Sequence, residues 1–165
     1  MCIRDRGKTL GANEIAQLGK FNPTKVIIAG GVGVVSQAIA TDLTARGYTV
    51  TRLWGTDRTL TAKAVASWAT LTTTAAQNFH SFETYIARGD DFADALAAGP
   101  VAGVGENVVL LTRTPTTLGV GIPGYLDTKV VGTEYDQVGT LHALGQTGAV
   151  SVAVMKGAAA AVGLK

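Results

Sequence analysis

Three arginines, Arg52, Arg58 and Arg88, stand at or just past the ends of apolar segments, and Asp57, Asp90, Asp91 and Asp94 are interleaved with them. A guanidinium is a planar fork of N–H donors that meets the oxygens of phosphate or carboxylate two at a time, so arginines at strand ends are candidates for holding an anion. The alternative for Arg58 is an internal pair with Asp57 or Asp94. Both readings stand at this level.

A second chemistry is suggested by Gly31-Val-Gly33-Val-Val-Ser36, which follows an apolar run and opens a helical pattern. It approximates the dinucleotide fingerprint, with Asp57 near the end of the next strand, and its glycines would admit a pyrophosphate to the N–H groups of a helix N-terminus. A later copy points elsewhere. Ile27–Ile39 and His142–Val154 align with Gly30 on Gly145, Gly33 on Gly148, Val35 on Val150 and Ser36 on Ser151, but Gln146 stands in the place of Gly31. A turn that needs glycine at two backbone positions, with Ser36 and Ser151 as helix caps, accounts for both copies without a ligand.

Among the acids, Asp91 is placed to cap a helix beginning at Phe92, and Asp94 falls in its first turn, where the helix dipole favours negative charge. Three nearby acids could hold a metal, yet no histidine or further carboxylate sits at a supporting spacing. Capping is the better account, and neither metal nor cofactor is expected. His80 and His142 lack the partners of a triad or a zinc site, and His142 reads as packed within a strand. No Ser-His-Asp order, glycosidase acid pair or P-loop lysine is present, so catalysis is not expected.

The elements that must position these residues follow from periodicity. Helices are expected from Leu10 to Gly19, from Ser36 to Gly47 (Val35, Ile39 and Leu43 inward), from Thr59 to Thr70 (Leu60, Ala64, Trp68 and Leu71 inward), from Phe92 to Ala98 (Phe92 and Leu96 inward, Gly99-Pro100 ending it), near Tyr125, and from Ser151 to Gly163. Strands are expected at Val26–Ala29, Tyr48–Trp54, Thr84–Ala87, Val108–Leu111, around Leu141–Leu144, and at Val130-Val131. Thr72–Ser81 reads as loop. Continuous apolar strands alternating with helices define an α/β fold with an open, mainly parallel sheet flanked by helices, built from repeated strand-turn-helix units.

The 165 residues suit one domain, and 47% hydrophobic with 6% aromatic content and 21 glycines indicates a core of small aliphatic side chains in close approach. A net charge of +2 is too small to mark a nucleic-acid or membrane surface, so anion binding must be local. Residues 1–8 open with MCIRDR, which lacks any pattern and reads as a scar or a disordered end; it carries Cys2, the single cysteine. No signal peptide or membrane span is visible, so a secreted parent would contain this chain as an internal or C-terminal fragment.

Three blocks together resemble the cell-wall-binding repeat type 2 family of Gram-positive surface-layer and wall proteins. Arg52-Leu-Trp-Gly55-Thr-Asp57-Arg58-x-x-Thr61-Ala62 is similar to the repeat opening. Ala87-x-Gly89-x-x-Phe92-Ala-Asp94-Ala-Leu96-Ala-Ala98-Gly99-Pro100 is similar to its most characteristic block, and Gly30-Gly31-x-x-Val34-Val35-Ser36 and Gly145-x-x-Gly148-Ala-Val150-Ser151 to its closing block. Thr59, Leu60 and Gln146 depart from the pattern, and the spacing implies an insertion near Thr72–Ser81 or Thr112–Gly139.

The resemblance implies a Rossmann-like or Toprim-like fold, with residues 9–51 the end of a preceding repeat and 52–165 one complete repeat. It implies a non-catalytic extracellular module that anchors a secreted protein to anionic wall polymers, working with further repeats or copies around a three-fold axis. By position, Arg58 is the leading polymer contact, Arg52 and Arg88 are weaker, and Asp57 and Asp94 are structural.

Overall fold

The computed structural model describes residues 9–71, 79–130 and 137–164. The chain divides into two compact units between Trp54 and Gly55. The first holds α1 (Ala12–Phe21), β1 (Lys25–Ala29), α2 (Gln37–Ala45) and β2 (Thr49–Leu53), with β1 and β2 paired in parallel from Lys25 on Thr49 to Ala29 on Leu53. Its core is Ile28, Ile39, Ala40 and Leu43, with Val26, Val35, Tyr48 and Val50 packed around them, so the fourfold spacing of Val35, Ile39 and Leu43 is the inward stripe of α2.

The second unit contains α3 (Arg58–Ala69), β3 (His80–Ala87), α4 (Ala93–Val104), β4 (Asn107–Leu111), α5 (Gly121–Leu126) with a 3-10 turn at Asp127–Lys129, β5 (Thr140–Ala143) and α6 (Val152–Ala161). Its strands run parallel in the order β4-β3-β5. Helices α3 and α4 pack on β4, and α6 on β5 and α5, around a core that includes Ile86, Leu110, Ile122, Tyr125, Leu126 and Val154. The expected α/β architecture of open parallel sheet flanked by helices is observed, as two small sheets, one in each unit.

Several boundaries and faces differ from expectation for identifiable reasons. Helix α1 runs past Gly19 to Phe21, because a helical glycine weakens but does not stop a helix. It closes at Asn22, whose left-handed φ of 43° suits one of the few non-glycine residues that tolerate it. Helix α4 starts at Ala93 and continues through Gly99-Pro100 to Val104, with Ala98 and Ala102 inward while Phe92 and Leu96 are 66% and 61% exposed. Pro100 cannot donate to the Leu96 carbonyl, but both residues lie on the exposed face, where water can satisfy it.

The fully buried residues of α3 are Thr59, Ala66 and Ala69; of the expected stripe Trp68 packs against the core, Leu60 and Ala64 are only partly buried, and Leu71 is half exposed. The cause is close approach to α5, where a β-carbon on Gly121 would lie 2.2 Å from the Thr59 carbonyl oxygen, so small residues occupy the contact. His80 and Ser81, expected in a loop, begin β3. Ser81 is fully buried because its Oγ lies 3.0 Å from the Tyr125 hydroxyl, which also meets Thr70 Oγ1 at 3.3 Å. Val130 follows the 3-10 turn and is not a strand. Val131, the remaining expected loop from Thr72 to Asn78, and residues 1–8 lie outside the described residues.

Candidate functional site

In the first unit the turn between β1 and α2 turns its backbone inward. The guanidinium of Arg52, on β2, donates to the carbonyls of Gly30 at 2.8 Å, Val35 at 2.9 Å and Ser36 at 3.2 Å. Three of the turn's N–H groups are also spent internally: Gly30 donates to Leu53, and Val34 and Val35 both donate to Gly31. Gly30 has φ of 127°, open to glycine alone, whereas Gly33 has no positive φ and no neighbour within 4 Å of an added β-carbon. A β-carbon on Gly31 would lie 3.5 Å from the Trp54 ring.

The second copy repeats this pattern at Gly145, with φ of 83°, while Gly148 matches Gly33 in having open space. Ser36 and Ser151 both hold the N-cap position, but only the Ser151 hydroxyl accepts the capping N–H, from Val154 at 3.3 Å.

In the second unit the C-terminal ends of β3 and β4 gather the charged groups. Arg88 follows β3 and Arg113 lies just past β4, while the start of α3 brings Asp57 and Arg58 to the same end. Asp57 caps α3, its Oδ1 accepting from Leu60 N at 2.9 Å and Thr59 Oγ1 at 2.8 Å. The Leu60 N–H, the Thr59 hydroxyl and the nearby Arg113 charge hold its carboxyl below the usual aspartate range.

Arg88 donates to Asp90 at 2.6 and 3.2 Å, and this bond lowers the Asp90 carboxyl in turn. Asp91 Oδ1 accepts from the N–H groups of Phe92 at 2.7 Å and Ala93 at 3.4 Å, ahead of α4. Asp94 stands in the first turn of α4, its carboxylate 2.6 Å from where a β-carbon on Gly145 would lie.

Arg58 differs from Arg52 and Arg88. It is exposed and donates to the Gly89 carbonyl, and among the described residues no carboxylate lies within 4.0 Å of it. The pairing with Asp57 or Asp94 that the sequence left open is therefore not formed. Arg113, also exposed, was missed by sequence reasoning. The signal was available, since it follows a buried strand and one further residue much as Arg88 follows β3.

His142 is packed in β5, its ring 4.8 Å from that of Tyr85 and nearly parallel to it. Among the described residues no cluster of His, Cys, Asp and Glu is placed to hold a metal, and no helix is long and apolar enough to cross a membrane.

Fold and geometry together define an α/β module of repeated strand-turn-helix units, with cations and acids gathered where open parallel sheets receive ligands. The chain belongs to the cell wall binding domain 2 (CWB2) family, whose model matches residues 52–155. Two solved structures are similar. One is Cwp6 from Clostridium difficile, at a TM-score of 0.71 and 24% identity over 90% of this chain and 22% of that one. The other is Cwp8 from the same organism, at 0.62 and 21% over 86% and 21%. The chain thus spans about a fifth of their length. No curated protein matches it. The family consists of cell-wall-binding modules that occur in cell-surface proteins.

Proposed function

We propose that this module holds a secreted protein on the cell surface by binding an anionic wall polymer, without catalysis, at the C-terminal ends of β3 and β4. The observation that carries this is the state of Arg58, an exposed guanidinium beside a parallel sheet's ligand end with no carboxylate within 4.0 Å among the described residues, although its charge still reaches Asp90. Arg113 adds a second exposed cation nearby. Arg88, shared with Asp90, and Arg52, engaged with three carbonyls, have less to offer a ligand.

Residues 9–51 are the end of one repeat and 52–165 the next. Several such weak sites, in one parent chain or in copies around a three-fold axis, add by avidity. The nucleotide reading has no comparable support, because the N–H groups of Gly30, Val34 and Val35 are spent internally and Arg52 closes the turn's carbonyl side.

Replacing Arg58 tests the assignment. Arg58→Ala is expected to weaken binding to Gram-positive sacculi several-fold while lowering stability by no more than about 1 kcal/mol, the worth of one hydrogen bond. Unchanged binding, or a much larger loss of stability, would return Arg58 to a purely structural role.

A further inference from the structure

The two copies of the strand-turn-helix unit share a backbone but differ in what lies against it. In the first, β2 runs parallel along β1 and sends Arg52 into the carbonyls of Gly30, Val35 and Ser36. In the second, the N–H groups of Ala149 and Val150 close on the Gln146 carbonyl at 2.7 and 3.1 Å, as those of Val34 and Val35 close on Gly31 at 2.9 and 3.0 Å. The caps agree too, with φ and ψ of −58° and 155° at Ser36 and −70° and 155° at Ser151. Yet among the described residues β5 is an edge strand, and no side chain donates to the carbonyls of Gly145, Val150 or Ser151.

We infer that the outer edge of β5, together with the carbonyls of Gly145, Val150 and Ser151, is a docking site for a parallel strand bearing an arginine, of the chemistry of Thr49–Leu53. An edge strand offers a row of N–H and C=O groups that a further strand completes. The three carbonyls supply the specificity, since they suit a guanidinium and cannot bond an apolar or acidic side chain. The second copy adds charge that the first lacks. Asp94 stands against Gly145, where Gly30 meets only the Val34 side chain.

The path of the chain fits as well. Helix α2 ends with Gly47 donating to Thr44 and Tyr48 to Leu43, and α6 ends with Gly163 donating to Ala160 and Leu164 to Ala159. The two helices therefore close in the same C-terminal turn. This inference does not rest on the wall-polymer reading.

The test is the chain with Thr-Val-Thr-Arg-Leu-Trp fused directly after Leu164, compared with the unfused chain and with the same fusion carrying methionine in place of arginine. The arginine fusion is expected to raise Tm by roughly 4 °C or more, and to slow hydrogen exchange at the outward amides of Thr140–Leu144. The methionine fusion should lose at least half of that rise. No rise with arginine, or an equal rise with methionine, overturns the proposal. So does a concentration-dependent dimer of the unfused chain that protects the same amides, which would give the edge to a second copy.

Discussion

Arg52 shows how one side chain can hold a fold whose sequence hides the contact. Its place at a strand end is readable, but its partners are backbone oxygens 16 to 22 residues earlier, and carbonyls leave no mark in a sequence. Arg52→Met strands those carbonyls beneath an apolar side chain, and a loss of about 1–3 kcal/mol is expected in urea unfolding of the first unit. Asp57 gives a second expectation. Asp57→Ala removes the α3 cap and should cost about 1 kcal/mol. Because its carboxyl is held below the usual range, the wild-type contribution is present above about pH 4 and lost as pH falls below it. The stability gap between wild type and Asp57→Ala should therefore close in acid, and a gap constant from pH 7 to pH 2 would contradict the capping account.

At the scale of elements, periodicity located the helices and most strands but misjudged faces wherever small residues do the packing. The sequence offered Phe92 and Leu96 as the inward stripe of α4, the natural choice by size. The helix instead presents Ala98 and Ala102 to the sheet, because alanines permit a closer approach. Ala98→Leu is accordingly expected to lose about 1–3 kcal/mol by overpacking, whereas Leu96→Gln should change stability by less than about 0.5 kcal/mol. Thermal melts of the two variants decide the orientation, and the reverse ranking would restore the sequence's stripe. The start of β3 was missed for a related reason: His80 and Ser81 read as polar loop, while the bond that buries Ser81 comes from Tyr125, far along the chain. Tyr125→Phe should cost about 1–2 kcal/mol by leaving Ser81 without that partner.

For the molecule as a whole, the most legible feature was the internal repeat. It fixed the α/β class, because the same apolar strand, glycine turn and small-residue helix occur twice. The family match over residues 52–155 covers the opening block, the characteristic block and the second copy of the closing block, while Gly30–Ser36 lies ahead of it. Less legible was which arginine remains available to a ligand, since that depends on pairings such as Arg88 with Asp90 that local spacing suggests but does not decide. The central claim is that the module recognises anionic wall polymer. Co-sedimentation with purified Gram-positive sacculi, before and after their anionic polymers are stripped, tests it most directly. The chain, presented as an oligomer for avidity, is expected to pellet with intact sacculi and to stay in solution with stripped ones. Equal binding to both, or none to either, would contradict it.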